Sequence, residues 1–449
     1  MNIFVTFVML FLNIENIKSS EIEIKTRYSS LVNKYIPTFW KPNKLSKLNC
    51  ERILNNDLKY IYSNNNKRTR ITRNETSGAF STRCYDIRRR GYYPDEPLTV
   101  EEKEFPLAYA INIYEDYLKL EQFFLITYAP QNHYCFGIDI KSDEVFKRKV
   151  KNLASCFSNV YIIDKELSLN HSGVNGNLYN YECMKILNDK NYKYLFLLQN
   201  DDVPLKTNHE LVQILKIYNG TIDMNIGDPI SSQPIVLNST QSFKFKDLEI
   251  FKSVSSRRKY RLLQERNISI QKGLPQASIP KETVDYLINE INIVPLLNKL
   301  NAPIKCSDEL LWPTIFTNPF LQVPGWQHNY CSSKSTIFSK YYMTRKTIFK
   351  TEKNCPSGRY RHGICLFGIE MLSSMKEWPQ FFGNKMRYDF DAGAINCWFE
   401  YIYNKKFFSP LQAIDASIYQ DIPLIKYQKL KREINDHVKI CNIITNSLV

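Results

Sequence analysis

The apolar run LAYAINIY at residues 107–114 is followed by the helical pattern EDYLKLEQFFLITY at 115–128 and by a second apolar run, YCFGIDI, at 134–140. This strand–helix–strand order predicts parallel strands covered by helices, because two parallel strands of one sheet need a long crossover connection. The alternation continues with helices predicted at 145–156, 179–187 and 209–218, and with strands at 160–163 and 194–199. The sequence therefore predicts an α/β protein that binds its ligands at the carboxyl ends of the strands.

The composition changes at Glu104-Phe105-Pro106, and this change divides the chain. Residues 21–103 are polar and typical of a stem with an N-terminal extension, whereas 104–408 is predicted to be the main domain. The polar segment 220–275 is expected to form loops near the site, and the tail at 409–449 has little pattern. Later helices are predicted at 281–300, 308–316 and 391–405.

The charge and composition limit the possible partners. The chain has 449 residues, of which 43% are hydrophobic and 13% aromatic, so most of it is expected to fold around a large core. The net charge is +15. No zinc-finger, RNP or helix-turn-helix signature accompanies the basic residues, so nucleic acid is not expected as a partner. Solvated loops, an anionic substrate or a membrane surface account for the charge instead.

The chain begins with the apolar run MNIFVTFVMLFL at residues 1–12. A bilayer span takes roughly 20 residues, so this shorter run predicts that residues 1–20 are a signal peptide or, alternatively, a short type II signal-anchor in the membrane. Both deliver the chain to an oxidising lumen. Eleven widely spaced cysteines, with no zinc-type spacing, are there expected to form disulfides, and the odd number leaves at least one outside an internal pair.

Two adjacent carboxylates, Asp201 and Asp202, follow the predicted strand at 194–199. Metal-dependent transferases hold a divalent cation there with an Asp-x-Asp arrangement, but the two acids here are adjacent. The alternative is that they close a turn and cap the helix that begins near Thr207.

A second acidic segment, Cys306-Ser307-Asp308-Glu309, precedes an apolar helical pattern. Ser307 or Asp308 can cap this helix, and Glu309 in its first turn can simply interact with the helix dipole. The alternative role for Glu309 is catalytic, because an inverting sugar transfer needs one carboxylate that takes a proton from the attacking hydroxyl.

A third segment, CPSGRYRHGIC at 355–365, has cysteines at both ends and is followed by Lys385. A disulfide between these cysteines would fix the presentation of Arg359, Arg361 and His362. Such cations can bind a diphosphate without a metal, although they can equally be ordinary surface cations.

Short strings in this order resemble one family of enzymes. They are EFPLAY at 104–109, YAPQNHYC at 128–135, ASCFSNV at 154–160, PLKTN at 204–208, SDE at 307–309 and CLFG at 365–368. Over residues 50–408 the chain resembles the core-2/I-branching β-1,6-N-acetylglucosaminyltransferase family, glycosyltransferase family 14, especially its divergent nematode-like members. The resemblance implies a GT-A-type glycosyltransferase fold, with a Rossmann-like nucleotide-binding sheet and disulfide-stapled extensions, and it makes 104–408 the catalytic domain.

The resemblance also implies an activity. It is the inverting transfer of N-acetylglucosamine from UDP-GlcNAc to a glycan or glycoprotein, without a metal or other cofactor, in the Golgi lumen or after secretion. Residues 221–270 do not align with the family's acceptor-contacting region, so a β-1,6 branch on a mucin-type core 2 is the general expectation for the family. The alternatives are a transferase of other specificity, such as a peptide O-xylosyltransferase, and an inactive glycan-binding relative.

The resemblance carries over to individual residues. Glu309 matches the catalytic base, although the proline of the family's Ser-Pro-Asp-Glu motif is missing here. Arg361 and Lys385 match the two cations that hold the diphosphate, and these three residues are expected to face one cleft. In the family, the arginine lies at a fixed number of residues before the second cysteine of the loop. The loop is one residue longer here, so His362 lies at that position and Arg361 is its neighbour. Asp139 matches an acid on the uridine side of the pocket.

Four disulfides are implied in the same way: Cys50–Cys397, Cys84–Cys156, Cys135–Cys183 and Cys355–Cys365. Cys306 and Cys331 lie outside the family's usual set and are candidates for an additional bridge. Cys441 would then be the remaining thiol.

Overall fold

The computed structural model describes residues 35–72, 81–227, 241–253, 255, 261–301, 306–326 and 340–447. The predicted leader at residues 1–20 lies outside these ranges, and so does Cys331. Within them, no helix combines the length and the apolar character needed to cross a membrane.

A mixed sheet forms the centre of the described structure. Its strand order is β3-β2-β1-β4-β7-β6. The strands are β1 (Leu107–Ile113), β2 (His133–Ile138), β3 (Val160–Ile162), β4 (Tyr194–Gln199), β5 (Val203–Pro204), β6 (Asp223–Met224), β7 (Ala277–Pro280), β8 (Arg345–Thr347), β9 (Tyr360–Arg361), β10 (Ile364–Cys365) and β11 (Phe382–Asn384).

The first four strands are parallel, as the strand–helix–strand pattern predicts. β1 lies between β2 and β4, with Tyr109 beside Tyr134 on one side and Phe196 on the other. β7 then pairs with β4 in the antiparallel direction, and β6 pairs with β7, also in the antiparallel direction. A smaller sheet has the order β5-β11-β8, and β9 and β10 form a hairpin. The carboxyl ends of the parallel strands therefore meet at one edge, close to the smaller sheet.

The helices follow the predicted order with some changes. They are α1 (Cys50–Leu54), α2 (Leu58–Asn65), α3 (Cys84–Arg90), α4 (Val100–Glu104), α5 (Tyr117–Thr127), α6 (Glu144–Ser155), α7 (Gly176–Leu187), α8 (Asn208–Tyr218), α9 (Phe245–Leu248), α10 (Lys281–Asn289), α11 (Val294–Leu300), α12 (Leu311–Thr317), α13 (Leu372–Met375), α14 (Tyr388–Phe407), α15 (Ser417–Gln420), α16 (Pro423–Leu430) and α17 (His437–Asn446).

The prediction of a single helix at 281–300 is wrong, because the structure has two helices there, α10 and α11. The backbone between them pairs with another segment: the N–H of Asn292 donates to the carbonyl of Ile250, and the N–H of Lys252 donates to the carbonyl of Glu290. These tertiary hydrogen bonds replace helical ones at the break. Pro295 then lies in the first turn of α11, a position that tolerates proline.

Two hydrophobic cores lie on opposite faces of the sheet. The alternating side chains of β1 show the division: Leu107, Tyr109 and Ile111 pack into a core with α5, α8 and α14. Ala108 and Ala110 face a second core, which includes α7 and α10 to α12. Because β1 is buried along its whole length, its two faces are fixed by packing on both sides.

Both ends of the described chain belong to the first core. The ring of Phe39 lies 5.6 Å from that of Tyr403 in α14. Tyr427 of α16 and Ile440 of α17 are buried in the same core. The tail, for which the sequence pattern predicted little, thus contains helices α15 to α17 that contribute to packing. These helices have 4, 8 and 10 residues, which is too short for a clear periodic signal.

Disulfides join the elements around the sheet, and four of the pairs are those that the resemblance implies. They are Cys50–Cys397, Cys84–Cys156, Cys135–Cys183 and Cys355–Cys365. The expectation for the remaining cysteines is wrong. Cys306 carries a free thiol and makes no additional bridge. Cys441 is disulfide-bonded, so it is not the remaining thiol.

Candidate active site

The turn that carries Glu309 lies beside the loop before α7. Residues Ser307–Glu309 form one 3₁₀ turn, and α12 begins only at Leu311. The predicted side-chain cap is therefore wrong, since the turn begins at Cys306 in a left-handed conformation and no side chain caps it. The N–H and hydroxyl of Ser307 instead donate to the carbonyl of Ser172, at 2.8 and 3.1 Å.

Gly173 permits this close contact. Its φ is +86°, and a Cβ there would collide with the carboxylate of Asp308. Glycine is therefore required for two reasons: it adopts the left-handed backbone conformation without strain, and it has no Cβ that would collide with Asp308. On the other side of the turn, the N–H of Gly273 donates to the carbonyl of Glu309 at 2.9 Å. The turn is fixed from both directions by backbone contacts.

The carboxylate of Glu309 is 23% exposed and thus accessible to a substrate. Its Oε2 lies 3.3 Å from Nζ of Lys272. The thiol of Cys306 also interacts with Glu309, and burial together with this negative neighbour raises the pKa of Cys306 to about 11. Cys306 therefore stays protonated at neutral pH and can act only as a weak donor.

Asp308, the neighbour of Glu309, differs from it in environment. Burial, reinforced by the charge of Glu309, raises the pKa of Asp308 to about 6. Its backbone carbonyl accepts a hydrogen bond of 3.1 Å from Asn177 of α7. Two adjacent acids thus have distinct surroundings: Glu309 lies beside a lysine, and the half-buried Asp308 lies against α7.

Asp201 and Asp202 lie in the turn after β4, and both carboxylates form contacts with cationic side chains. The Arg387 guanidinium lies 3.3 Å from Asp201. Asp202 accepts from the N–H of Gln199 at 2.7 Å and from the amide of Asn384 at 2.8 Å. Asp202 therefore shapes the turn at the strand end. The helix cap is made by Thr207 itself, whose hydroxyl forms a capping box with Glu210 at the start of α8.

Lys385 follows β11 and lies among other cations. Burial lowers the pKa of Lys385, and the positive charges of Arg345, Arg387 and Arg361 lower it further, whereas Asp201 raises it. Its Nζ is 3.7 Å from Oδ2 of Asp201. Arg387 pairs with Asp201, Glu115 and Asp389, and Arg345 pairs with Asp202. Lys385 shares Asp201 with Arg387, so its ammonium group can also bind an anionic ligand at this edge of the sheet.

Arg361 lies on the hairpin closed by the Cys355–Cys365 disulfide. Its side chain is exposed, but its charge acts on Lys385 and on Tyr114. His362 at the hairpin tip has a φ of +52°, and its ring centre is 6.2 Å from that of His171. Since the Ser307 turn contacts the adjacent Ser172, the hairpin and the Glu309 turn both lie against the loop before α7.

Asp139 lies at the end of β2 and is buried. Its Oδ1 accepts from the N–H groups of Lys141 and Leu169, at 3.0 and 3.3 Å. Nζ of Lys141 lies 3.3 Å from its Oδ2. The carboxylate of Asp139 thus organises the loops that follow β2 and β3 at the same edge of the sheet.

Sequence reasoning missed Lys272 and Arg345. Lys272 lies in a segment whose polar composition predicts only a loop, and nothing in the sequence links it to Glu309. Arg345 is 5% exposed and lies 3.7 Å from Asp202. Its positive charge acts on both Asp308 and Lys385. Within the described ranges, no group of three His, Cys, Asp or Glu side chains could hold a metal ion.

The chain is similar to several known proteins. A human beta-1,3-galactosyl-O-glycosyl-glycoprotein beta-1,6-N-acetylglucosaminyltransferase is 27% identical over 81% of this chain and 86% of its own length. A human N-acetyllactosaminide beta-1,6-N-acetylglucosaminyl-transferase is also 27% identical, over 70% of this chain and 76% of its own. A bovine herpesvirus 4 beta-1,3-galactosyl-O-glycosyl-glycoprotein beta-1,6-N-acetylglucosaminyltransferase is 26% identical, over 72% and 73% respectively.

The family profile described as Core-2/I-Branching enzyme matches residues 107–376, which run from β1 to the residue after α13. The match contains the parallel strands, the Glu309 turn and the disulfide-closed hairpin. The chain therefore belongs to the Core-2/I-Branching enzyme family and is a glycosyltransferase.

Proposed function

We propose that this chain transfers N-acetylglucosamine from UDP-GlcNAc to a glycan acceptor, with inversion, on a GT-A-type fold. The observation that carries the proposal is the placement of Glu309: a partly exposed carboxylate is held rigidly beside the strand ends, while a group of cations lies at the same edge. The names of the relatives, which are β-1,6-N-acetylglucosaminyltransferases, support N-acetylglucosamine as the sugar and a β-1,6 branch as the product.

In the proposed reaction, Glu309 accepts the proton of the attacking acceptor hydroxyl. The hydroxyl oxygen forms a bond to the anomeric carbon as the bond from that carbon to UDP breaks, so the configuration inverts in one step. The electron pair of the broken bond remains on the UDP phosphate. Lys385 and Arg361 stabilise this growing negative charge, the task that a divalent cation has in other transferases.

The contacts of Asp201 and Asp202 support a metal-independent reaction. Both carboxylates at the end of β4 already have protein partners: Arg387 and Lys385 for Asp201, and Asn384 and Arg345 for Asp202. A divalent cation would have to compete with these cationic groups for its carboxylate ligands. The proposal therefore assigns charge neutralisation to the side chains of Lys385 and Arg361.

The remaining expectations complete the proposal. Residues 104–408 are the catalytic domain, between the stem at 21–103 and the tail at 409–449. A signal peptide or type II signal-anchor at 1–20 delivers the chain to the Golgi lumen. The acceptor is a mucin-type core glycan on a glycoprotein. The names of two relatives specify a beta-1,3-galactosyl-O-glycosyl-glycoprotein as the acceptor of those enzymes.

The test uses the secreted lumenal chain with UDP-GlcNAc and a galactosyl-N-acetylgalactosamine acceptor. Glu309→Gln is expected to lower kcat by about a hundred- to ten-thousand-fold and to leave UDP binding unchanged. Glu400→Gln is the matched control, because Glu400 is 25% exposed and pairs with Lys41 at 2.6 Å, away from the strand ends. Wild-type activity is expected to persist in EDTA.

Three results would contradict parts of the proposal. Full activity of Glu309→Gln removes Glu309 as the base. Loss of activity in EDTA, restored by a divalent cation, removes the metal-free mechanism. A screen with UDP-xylose, UDP-glucose and UDP-glucuronic acid tests the sugar, and UDP binding without any turnover would indicate an inactive glycan-binding relative.

A further inference from the structure

Lys272 forms an ion pair with the carboxylate of Glu309. Its Nζ is 3.3 Å from Oε2, and the two side chains are 25% and 23% exposed. The pair is therefore neither fully solvated nor enclosed in the core. It lies at the surface of the site, where an acceptor hydroxyl has to approach Glu309.

The backbone around Lys272 is unusually well fixed for a residue outside a helix or strand. The N–H of Gln271 donates to the hydroxyl of Thr314 in α12 at 2.9 Å. The carbonyl of Lys272 accepts from the N–H of Gly227 at 2.8 Å, and the N–H of Gly273 donates to Glu309 itself. Lys272 thus extends from a segment that is bonded on both sides of its own Cα.

Gly273 allows this segment to pass so closely. A Cβ on Gly273 would collide with the carbonyl oxygen of Asn225. The segment therefore runs between Asn225 on one side and the Glu309 turn on the other. The same contact that places the backbone of Glu309 also places Lys272, so the carboxylate and the ammonium group are positioned together.

We propose that Lys272 is a positioning residue for Glu309, which fixes the carboxylate in the orientation that receives the acceptor proton. This inference rests on the proposed function of Glu309 and deepens it. An unpaired glutamate of this exposure would sample several side-chain rotamers, only some of which point an oxygen at the acceptor. The ion pair and the Cys306 thiol restrict this sampling from two sides.

The pair also matters during the reaction. Before proton transfer, the Glu309 carboxylate and the Lys272 ammonium together carry no net charge. After Glu309 has taken the proton, the pair has a net charge of +1, while the departing UDP has gained negative charge. The attraction between the two side chains is therefore strongest before the transfer, when it holds the carboxylate in place, and Lys272 neither gives up nor receives a proton.

The experiment compares Lys272→Met with Lys272→Arg. Lys272→Met is expected to lower kcat by about tenfold with little change in the donor KM, because the loss falls on the chemical step. Lys272→Arg should restore a large part of this loss. Lys41→Met, which breaks the ion pair with Glu400, is the matched control and should change kcat less than twofold.

A double-mutant cycle separates positioning from other roles. If Lys272 acts through Glu309, then Lys272→Met in the Glu309→Gln background should cause no further loss of kcat. An independent tenfold loss in that background would overturn the inference, and so would an equal rise in donor KM with unchanged kcat. Thermal unfolding of each variant identifies any loss that comes from misfolding.

The two variants also distinguish a wrong role for Lys272 from a wrong proposed function. If Glu309→Gln remains fully active, the proposed base is wrong and the inference falls with it. If Glu309→Gln is inactive but Lys272→Met has wild-type kcat, only the role of Lys272 is wrong.

Discussion

Nζ of Lys385 lies 3.7 Å from Oδ2 of Asp201, so the lysine after β11 is tied to the carboxylate that follows β4. The contact joins the smaller sheet to the edge of the large one. Because Asp201 also pairs with Arg387, it does not neutralise Lys385 by itself. The lysine keeps positive charge available for a ligand at this edge.

Replacing Lys385 is expected to weaken donor binding. Lys385→Met should lower the affinity for UDP by about tenfold, or roughly 1.4 kcal/mol, because a phosphate oxygen loses a charged donor. Titration calorimetry with UDP measures this effect. Lys376→Met, at a half-buried lysine outside the cluster, is the control and should bind UDP as the wild type does. Unchanged affinity in Lys385→Met would exclude it from the diphosphate site.

The hairpin offers a comparison between neighbouring cations. Arg361→Ala should raise the donor KM by about tenfold, since one charge-assisted contact to the diphosphate is lost. Arg359→Ala is the matched control, because Arg359 is also exposed on the segment closed by the Cys355–Cys365 disulfide. If His362→Ala raises the donor KM more than Arg361→Ala does at pH 6, then His362 binds the diphosphate and the assignment to Arg361 is wrong.

Asp308 should make stability depend on pH. Its pKa is about 6 in the folded chain and 3.8 as the ordinary value, so the unfolded chain loses this proton first as the pH rises. Folding stability therefore decreases between about pH 4 and pH 6 on account of this group. Asp308→Asn removes the ionisation, and its stability relative to wild type should rise across that window in urea unfolding. A pH-independent difference would show that the carboxyl titrates normally.

The thiol of Cys306 should react slowly at neutral pH, because its pKa of about 11 leaves little thiolate. Iodoacetamide labelling, followed by mass spectrometry, should accelerate up to about pH 11 and should be lost in Cys306→Ala. Since Cys306 contacts Glu309, labelling should also inactivate the enzyme. Fast labelling at pH 7 would contradict the raised pKa, and labelling that leaves activity intact would place the thiol away from the acceptor path.

Much of the fold could be predicted from local pattern. The four parallel strands and the helices between them follow from apolar runs that alternate with helical patterns, as at 134–155. The antiparallel strands β6 and β7 were missed, because β6 has two residues and β7 ends in a proline. The break between α10 and α11 was missed because hydrogen bonds to distant residues cause it.

Some residues of the candidate site could likewise be predicted from the sequence, whereas others could not. The roles of Glu309, Arg361, Lys385 and Asp139 were predicted from the family resemblance, which rests on short strings of sequence. Lys272 and Arg345 carry no such motif. Their relevance comes from contacts with Glu309 and Asp202, which are 37 and 143 positions away in the chain.

The sequence alone determined the α/β alternation and the family, because these are encoded in local periodicity and in short strings. Through the resemblance it also predicted Glu309, Arg361, Lys385 and Asp139 as site residues. Only the tertiary structure decided which groups surround them. It paired Lys272 with Glu309, placed Asp308 against α7, and turned Asp201 and Asp202 towards protein cations. It also left Cys306 as a free thiol. The physical reason is that charge, burial and pKa depend on neighbours brought together by chain folding, whereas a strand or a motif is read from adjacent residues.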